Sequence, residues 1–135
     1  MAHKSPDTKK VLIVDDDDDT RVVYSTMLKY EGYDVTVVGT GEAGLQAADK
    51  SPPLLVVLDV SLPGMSGWEV CLRLKQNPAT ADVKVLMVTA HAFIGEGDRA
   101  KECGADGLLT KPASPLLLRD EISNLIGPAT TSPAS

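Results

Sequence analysis

The sequence contains no apolar run approaching membrane-spanning length, and residues 1–10 lack the apolar centre of a signal peptide. The expectation is a cytoplasmic protein with no membrane partner. Cysteine is scarce. Only Cys71 and Cys103 occur, both inside helix-like apolar patterns and without metal-ligand spacing, so free buried thiols are expected rather than a disulfide. Positive charge is also short: 13 Lys and Arg stand against 19 Asp and Glu, a net charge of −6. An acidic surface attracts neither phosphates nor anionic lipids, which argues against direct nucleic-acid binding and leaves a cation or a basic partner. His3 has no second ligand-type residue beside it and reads as a solvated side chain.

What the sequence does have is one domain's worth of core, with 43% hydrophobic residues in 135. Its organising stretch is 54–59, Leu-Leu-Val-Val-Leu-Asp, entered through Pro52-Pro53 and left through a loop holding Pro63, Gly64 and Gly67. Five consecutive apolar residues between such breakers predict a strand covered on both faces, hence a parallel sheet. A carboxylate at the carboxyl end of that strand stands at the rim where open α/β sheets place their ligands. The plainer reading of Asp59 is a turn cap, and the rest of the chain decides between the two.

Residues 10–14 form a first apolar strand, followed by five aspartates, 15–19. The later aspartates suit the start of a helix from Thr20, and the first two have no such role. In that helix Val23, Met27 and Tyr30 fall at i, i+4 and i+7, the spacing of an apolar face, and Gly32 closes it. A strand at 34–38 precedes a helix at 42–49 with Leu45 and Ala48 inward. After Asp59, a helix at 68–75 buries Val70, Cys71 and Leu74 until Asn77-Pro78 stops it. A strand at 83–88 delivers Thr89 and Ala90, and a helix around 94–103 is weakened by Gly95 and Gly97. A strand at 107–110 leads to Lys111-Pro112, and 115–126 is the last helix. Five strand-then-helix units imply a doubly wound parallel sheet with helices on both faces. Asp15, Asp16, Asp59, Thr89 and Lys111 then share one edge.

Three carboxylates held together repel, and a hard cation with oxygen ligands relieves the repulsion. Mg²⁺ suits them, because it takes few carboxylates and leaves room for a phosphoryl oxygen. Lys111 supplies a positive charge, Thr89 a hydroxyl, and Ala90 a small wall. A carboxylate nucleophile with these neighbours describes phosphoryl transfer onto Asp59.

With Val14-Asp15-Asp16, Asp59 before Leu62-Pro63-Gly64-Met65-Ser66-Gly67, Val88-Thr89-Ala90 and Lys111-Pro112 in view, the chain resembles a response-regulator receiver domain of two-component signalling, in the chemotaxis-receiver style. The resemblance covers about 10–126. It implies a flavodoxin-like (βα)5 fold with strand order 2-1-3-4-5, and phosphorylation of Asp59 by a histidine kinase or a histidine phosphotransfer protein. It also implies Mg²⁺ held by Asp16, Asp59, the backbone carbonyl of Ser61 and, through water, Asp15, with Thr89 and Lys111 on the phosphoryl oxygens. Ser61 and His91 take the positions that tune hydrolysis in the family, and replacing His91 by Ala is expected to change the lifetime of the phosphorylated state. Leu108 stands where many members carry an aromatic switch residue, and Ala113 where Phe is common. The implied division is a flexible tail at 1–9, the domain at 10–127, and a tail or truncated linker at 128–135. The expectation is a stand-alone receiver, monomer or weak dimer, that catalyses only its own phosphorylation and dephosphorylation and signals through a downstream protein, without nucleic acid.

Three rival readings arise, one of them a receiver retained only as a protein-interaction scaffold, against which all five functional positions are filled. Gly39-Thr40-Gly41-Glu42-Ala43-Gly44 is formally a dinucleotide fingerprint, but it follows the second strand rather than the first and leaves the aspartates idle. An aspartate-nucleophile phosphatase needs an acid two residues after the nucleophile, where this chain has Ser61.

Overall fold

The computed structural model describes residues 8–90 and 96–129. The chain alternates β1 (Lys10–Val14), α1 (Asp18–Glu31), β2 (Asp34–Val38), α2 (Gly41–Lys50), β3 (Leu55–Asp59), α3 (Gly67–Gln76), β4 (Lys84–Thr89), α4 (Glu96–Glu102), β5 (Gly107–Thr110) and α5 (Pro115–Ile126). All neighbouring strands pair in parallel, in the order β2-β1-β3-β4-β5, the flavodoxin-like arrangement expected.

Strand periodicity splits the core into two layers. Leu12, Val14, Val56, Leu58, Val85 and Met87 face α2, α3 and α4, where Ala48, Val70, Cys71 and Leu74 meet them. Val11, Ile13, Leu55, Val57, Leu86 and Val88 face α1 and α5, where Tyr24, Leu28, Leu118 and Ile122 close the other side. β3 is buried along its whole length, as its unbroken apolar run predicts. Leu54 lies outside the strand and is exposed.

Side-chain caps set the helix starts. Asp17 accepts the Thr20 N–H at 2.8 Å, so α1 begins at Asp18, two residues before the expected Thr20. Thr40, Ser66 and Ser114 cap α2, α3 and α5 in the same way.

The orientation of α1 corrects the sequence reading. Val23 is 49% and Tyr30 88% exposed, while Tyr24 and Leu28 are buried. Both sets are apolar at helical spacing, and the Tyr24 hydroxyl decides between them by donating to the Ala113 carbonyl at 2.9 Å. That bond ties α1 to the segment before α5.

At the opposite edge of the sheet the end of α5 is held. Lys9 Nζ donates to the Ile126 carbonyl at 2.6 Å and the Tyr33 hydroxyl to that of Gly127 at 3.0 Å. Ala129, two residues past the expected boundary at 127, is buried in the α1/α5 layer. Among the described residues no helix is long and apolar enough to cross a membrane. His3, Ile94 and Gly95 lie outside the described residues.

Candidate functional site

The parallel register brings four strand ends to one edge, and backbone bonds continue the ladder past them. Asp15 N–H donates to Val38 O at 3.2 Å, Val60 N–H to Val88 O at 3.0 Å, and Lys111 N–H to Thr89 O at 2.7 Å. These bonds fix the backbone under each candidate residue. Asp15 follows β1, Asp59 and Thr89 end β3 and β4, and Lys111 follows β5.

The side chains converge. Carboxylate oxygens of Asp15, Asp16 and Asp59 all lie within 4.8 Å of one another. Lys111 Nζ reaches Asp15 Oδ2 at 3.0 Å and Asp59 Oδ2 at 3.3 Å. Asp15, Asp59 and Thr89 are buried, whereas Asp16 is exposed and opens the cluster to solvent. The Ser61 N–H donates to Asp59 Oδ1 at 3.0 Å and the Asp17 N–H to Asp15 Oδ1 at 2.9 Å, so each buried carboxylate has one oxygen held by backbone. Ser61 and Ala90 lie exposed at the same edge. His91 lies outside the described residues.

Burial raises the Asp59 pKa, and the charge of Asp15 adds to it, against the lowering by the Ser61 N–H and by Lys111. Burial pulls Lys111 down, but its hydrogen bond to Asp15 and the Asp59 charge outweigh this and hold its pKa above the ordinary lysine value. With all three carboxylates ionised, one ammonium leaves two negative charges uncompensated. An all-oxygen donor set with that residual charge fits a hard divalent cation such as Mg²⁺.

Several residues that build the edge escaped the sequence reading. Arg21 Nη1 donates to the Asp15 carbonyl at 2.7 Å and its other nitrogen pairs with Asp18. A Cβ on Gly67 would stand 2.1 Å from the Asp59 carbonyl oxygen, so only glycine lets α3 start this close to the end of β3. Tyr24 braces the loop after the cis Lys111–Pro112 peptide through Ala113. Leu108 packs against the α3/α4 layer. The formal dinucleotide motif has a packing explanation: a Cβ on Gly41 would meet Val70 at 2.7 Å, and one on Gly44 would meet Val14 at 2.8 Å. Two of its glycines thus seat α2 closely.

Residues 11–123 match the family described as the response regulator receiver domain. Among curated proteins, the chain is 40% identical over 103 residues to the DNA-binding dual master transcriptional regulator RpaA of Synechocystis, covering 76% of this chain and 43% of that protein. The chain spans about half the length of the curated relatives it matches. Among solved structures, chemotaxis response regulator CheY4 of Vibrio cholerae superposes with a TM-score of 0.83 at 28% identity, covering 88% of this chain and 99% of that one. The receiver domain of a Pseudomonas aeruginosa sensor histidine kinase, solved with a magnesium ion in its active-site cleft, shares the fold at 24% identity. Its TM-score is 0.81, covering 89% and 98% of the two chains.

Proposed function

Because this chain belongs to the response regulator receiver domain family, we propose that Asp59 accepts a phosphoryl group from the phosphohistidine of a histidine kinase or a histidine phosphotransfer protein. An Asp59 carboxylate oxygen attacks phosphorus; an O–P bond forms as the N–P bond breaks, and its electron pair returns to the donor imidazole. Burial makes Asp59 a more basic, less solvated nucleophile than a surface aspartate. Lys111 Nζ, already 3.3 Å from Asp59, follows the negative charge onto the arriving phosphoryl oxygens, and the Thr89 hydroxyl at the same edge donates to another. Asp15, Asp16, Asp59 and the carbonyl of Ser61 would hold Mg²⁺, which supplies charge neutralisation for the transferring group. Ala90 and Ser61, at this edge, and His91, next to Ala90 in the sequence, tune access of the water that hydrolyses the acyl phosphate.

The observation that carries this reading is the meeting of Asp15, Asp16, Asp59 and Lys111, 96 residues apart at the extremes, in one cluster that Asp16 opens to solvent. Ser61 offers no acid to protonate a leaving alcohol, so the chain acts on itself and not on free phosphomonoesters. Output runs from the domain at 10–127 through a downstream protein, as a monomer or weak dimer in the cytoplasm. The exclusion of nucleic acid rests on the charge of this chain alone. It does not extend to a longer protein of the RpaA kind. Incubation with acetyl phosphate and Mg²⁺ should add the mass of one PO₃H group, lost in Asp59→Asn and with EDTA. Labelling that survives Asp59→Asn overturns the assignment.

A further inference from the structure

Away from the acidic edge, one pair of nucleophilic side chains meets from distant parts of the chain. Cys71 lies in α3 and Cys103 directly follows α4. Both are free and share the α3/α4 layer of the core. The Cys71 thiol stands 3.3 Å from the Cys103 carbonyl oxygen, 32 residues away in sequence, and the Cys103 thiol turns back to the Ala100 carbonyl at 3.2 Å. Burial, and after it a side-chain hydrogen bond and charge interaction with Cys103, push the Cys71 thiol up. The Cys71 sulfur therefore lies against the Cys103 backbone, which brings the two cysteines into contact.

Their access differs. Cys71 is fully enclosed at 0% exposure, while Cys103, at 8%, lines an open cleft of about 240 Å³ between α3 and α4 with Trp68, Leu72, Arg99 and Glu102. Arg99 stacks over the Trp68 ring at 5.3 Å, which sets a guanidinium in the wall of that cleft. The Cys103 N–H donates to the Arg99 carbonyl, placing the two one helical turn apart. The cleft brings Cys103, and not Cys71, within reach of a small oxidant.

We infer that Cys71 and Cys103 form a peroxide-oxidisable dithiol, in which Cys103 reacts first and Cys71 resolves. Cys103 sulfur attacks hydrogen peroxide: an S–O bond forms, the O–O bond breaks, and the departing hydroxide leaves as water with the thiol proton. Cys71 sulfur then attacks the sulfenic sulfur; the S–S bond forms, the S–O bond breaks, and its hydroxide leaves as a second water with the Cys71 proton. The thiols lose two electrons and two protons in total, and one peroxide becomes two waters. The product ties α3 to the end of α4, on a face of the sheet separate from the α1/α5 layer.

The test is titration of the reduced, full chain with hydrogen peroxide. Both free thiols should disappear together, with an intact mass lower by two hydrogens, no covalent dimer, a cross-linked Cys71–Cys103 peptide pair, and recovery with dithiothreitol. Trp68, the only tryptophan, should change its emission on the same time course. In Cys71→Ser a dimedone adduct should accumulate at Cys103, and in Cys103→Ser the oxidation of Cys71 should slow by about tenfold or more. Persistence of both thiols in the wild-type chain, disulfides between chains, or undiminished Cys71 oxidation in Cys103→Ser would each overturn the inference; the wild-type outcomes decide it even if a variant fails to fold.

Discussion

The two edges of the sheet handle charge in opposite ways. At the edge where the strands begin, Asp106 pairs with Lys75 at 2.9 Å and Lys84 at 3.9 Å and accepts the Val85 N–H at 2.8 Å, while Lys75 also donates to the Val83 carbonyl. Each charged group there has a partner of opposite sign, and the Val83 and Val85 backbone groups beside them are satisfied. At the edge where the strands end, three carboxylates share one ammonium. The first arrangement stabilises a fold; the second costs stability and leaves a negatively charged mouth that suits a divalent cation. Sequence separation alone does not distinguish the two, since each pairs an acid with a lysine from a distant element: Asp106 with Lys75, and Asp15 with Lys111.

Four experiments sharpen this contrast, in descending size of effect. Gly67→Ala forces a methyl group into the Asp59 carbonyl, and should destabilise the chain by about 3 kcal/mol in urea unfolding and slow acetyl phosphate labelling. Wild-type stability in urea would separate α3 placement from site geometry. Mg²⁺ should raise the melting temperature, by about 2.7 kcal/mol of stabilisation at a hundredfold excess over its dissociation constant, and by less in Asp59→Asn. Without Mg²⁺ the same variant should be more stable than wild type. The sign follows from the raised Asp59 pKa: folding favours its protonated form, so its contribution is full below the ordinary aspartate range and is lost as pH rises through the raised value. Asp59→Asn removes that slope, which calorimetry across pH 3 to 7 would read.

Asp106→Asn, at the edge where the strands begin, should cost about 2 kcal/mol and leave acetyl phosphate labelling unchanged, because only packing and pairing are lost there. A loss of labelling would erase the distinction between the edges. Tyr24→Phe should cost about 1 kcal/mol by removing the bond to Ala113. Burial raises the Tyr24 pKa, so its stabilisation is present below about pH 10 and disappears as pH climbs through the folded value. The variant should therefore show a shallower alkaline loss of stability than wild type.

Much of this was legible from residues alone. Unbroken apolar runs ending in Asp59 and Thr89, and ending just before Asp15, mark strands whose carboxyl ends must share an edge once the strands are parallel, and the convergence of Lys111 follows from β5 joining that sheet. The inward face of α1 was not legible, because Val23-Met27-Tyr30 and Tyr24-Leu28 are both apolar at helical spacing and differ by one residue, a rotation of about 100°. A hydrogen bond to Ala113, 89 residues away, settles the choice, and no local pattern announces it. Gly67 and Gly44 carry the same lesson: their lack of a side chain matters only against Asp59 and Val14, which approach from other elements. Asp17 was half-legible, as one aspartate in a run of five whose members turn out to cap a helix, face a lysine and border the cluster.

The grip of Lys9 and Tyr33 on Ile126 and Gly127 turns α5 into a strut. Its 12 residues, about 18 Å of helix, run from just beyond Lys111 to the far side of the molecule. A module attached past residue 129 would start from the side of the molecule opposite the acidic mouth, and so would leave that mouth uncovered.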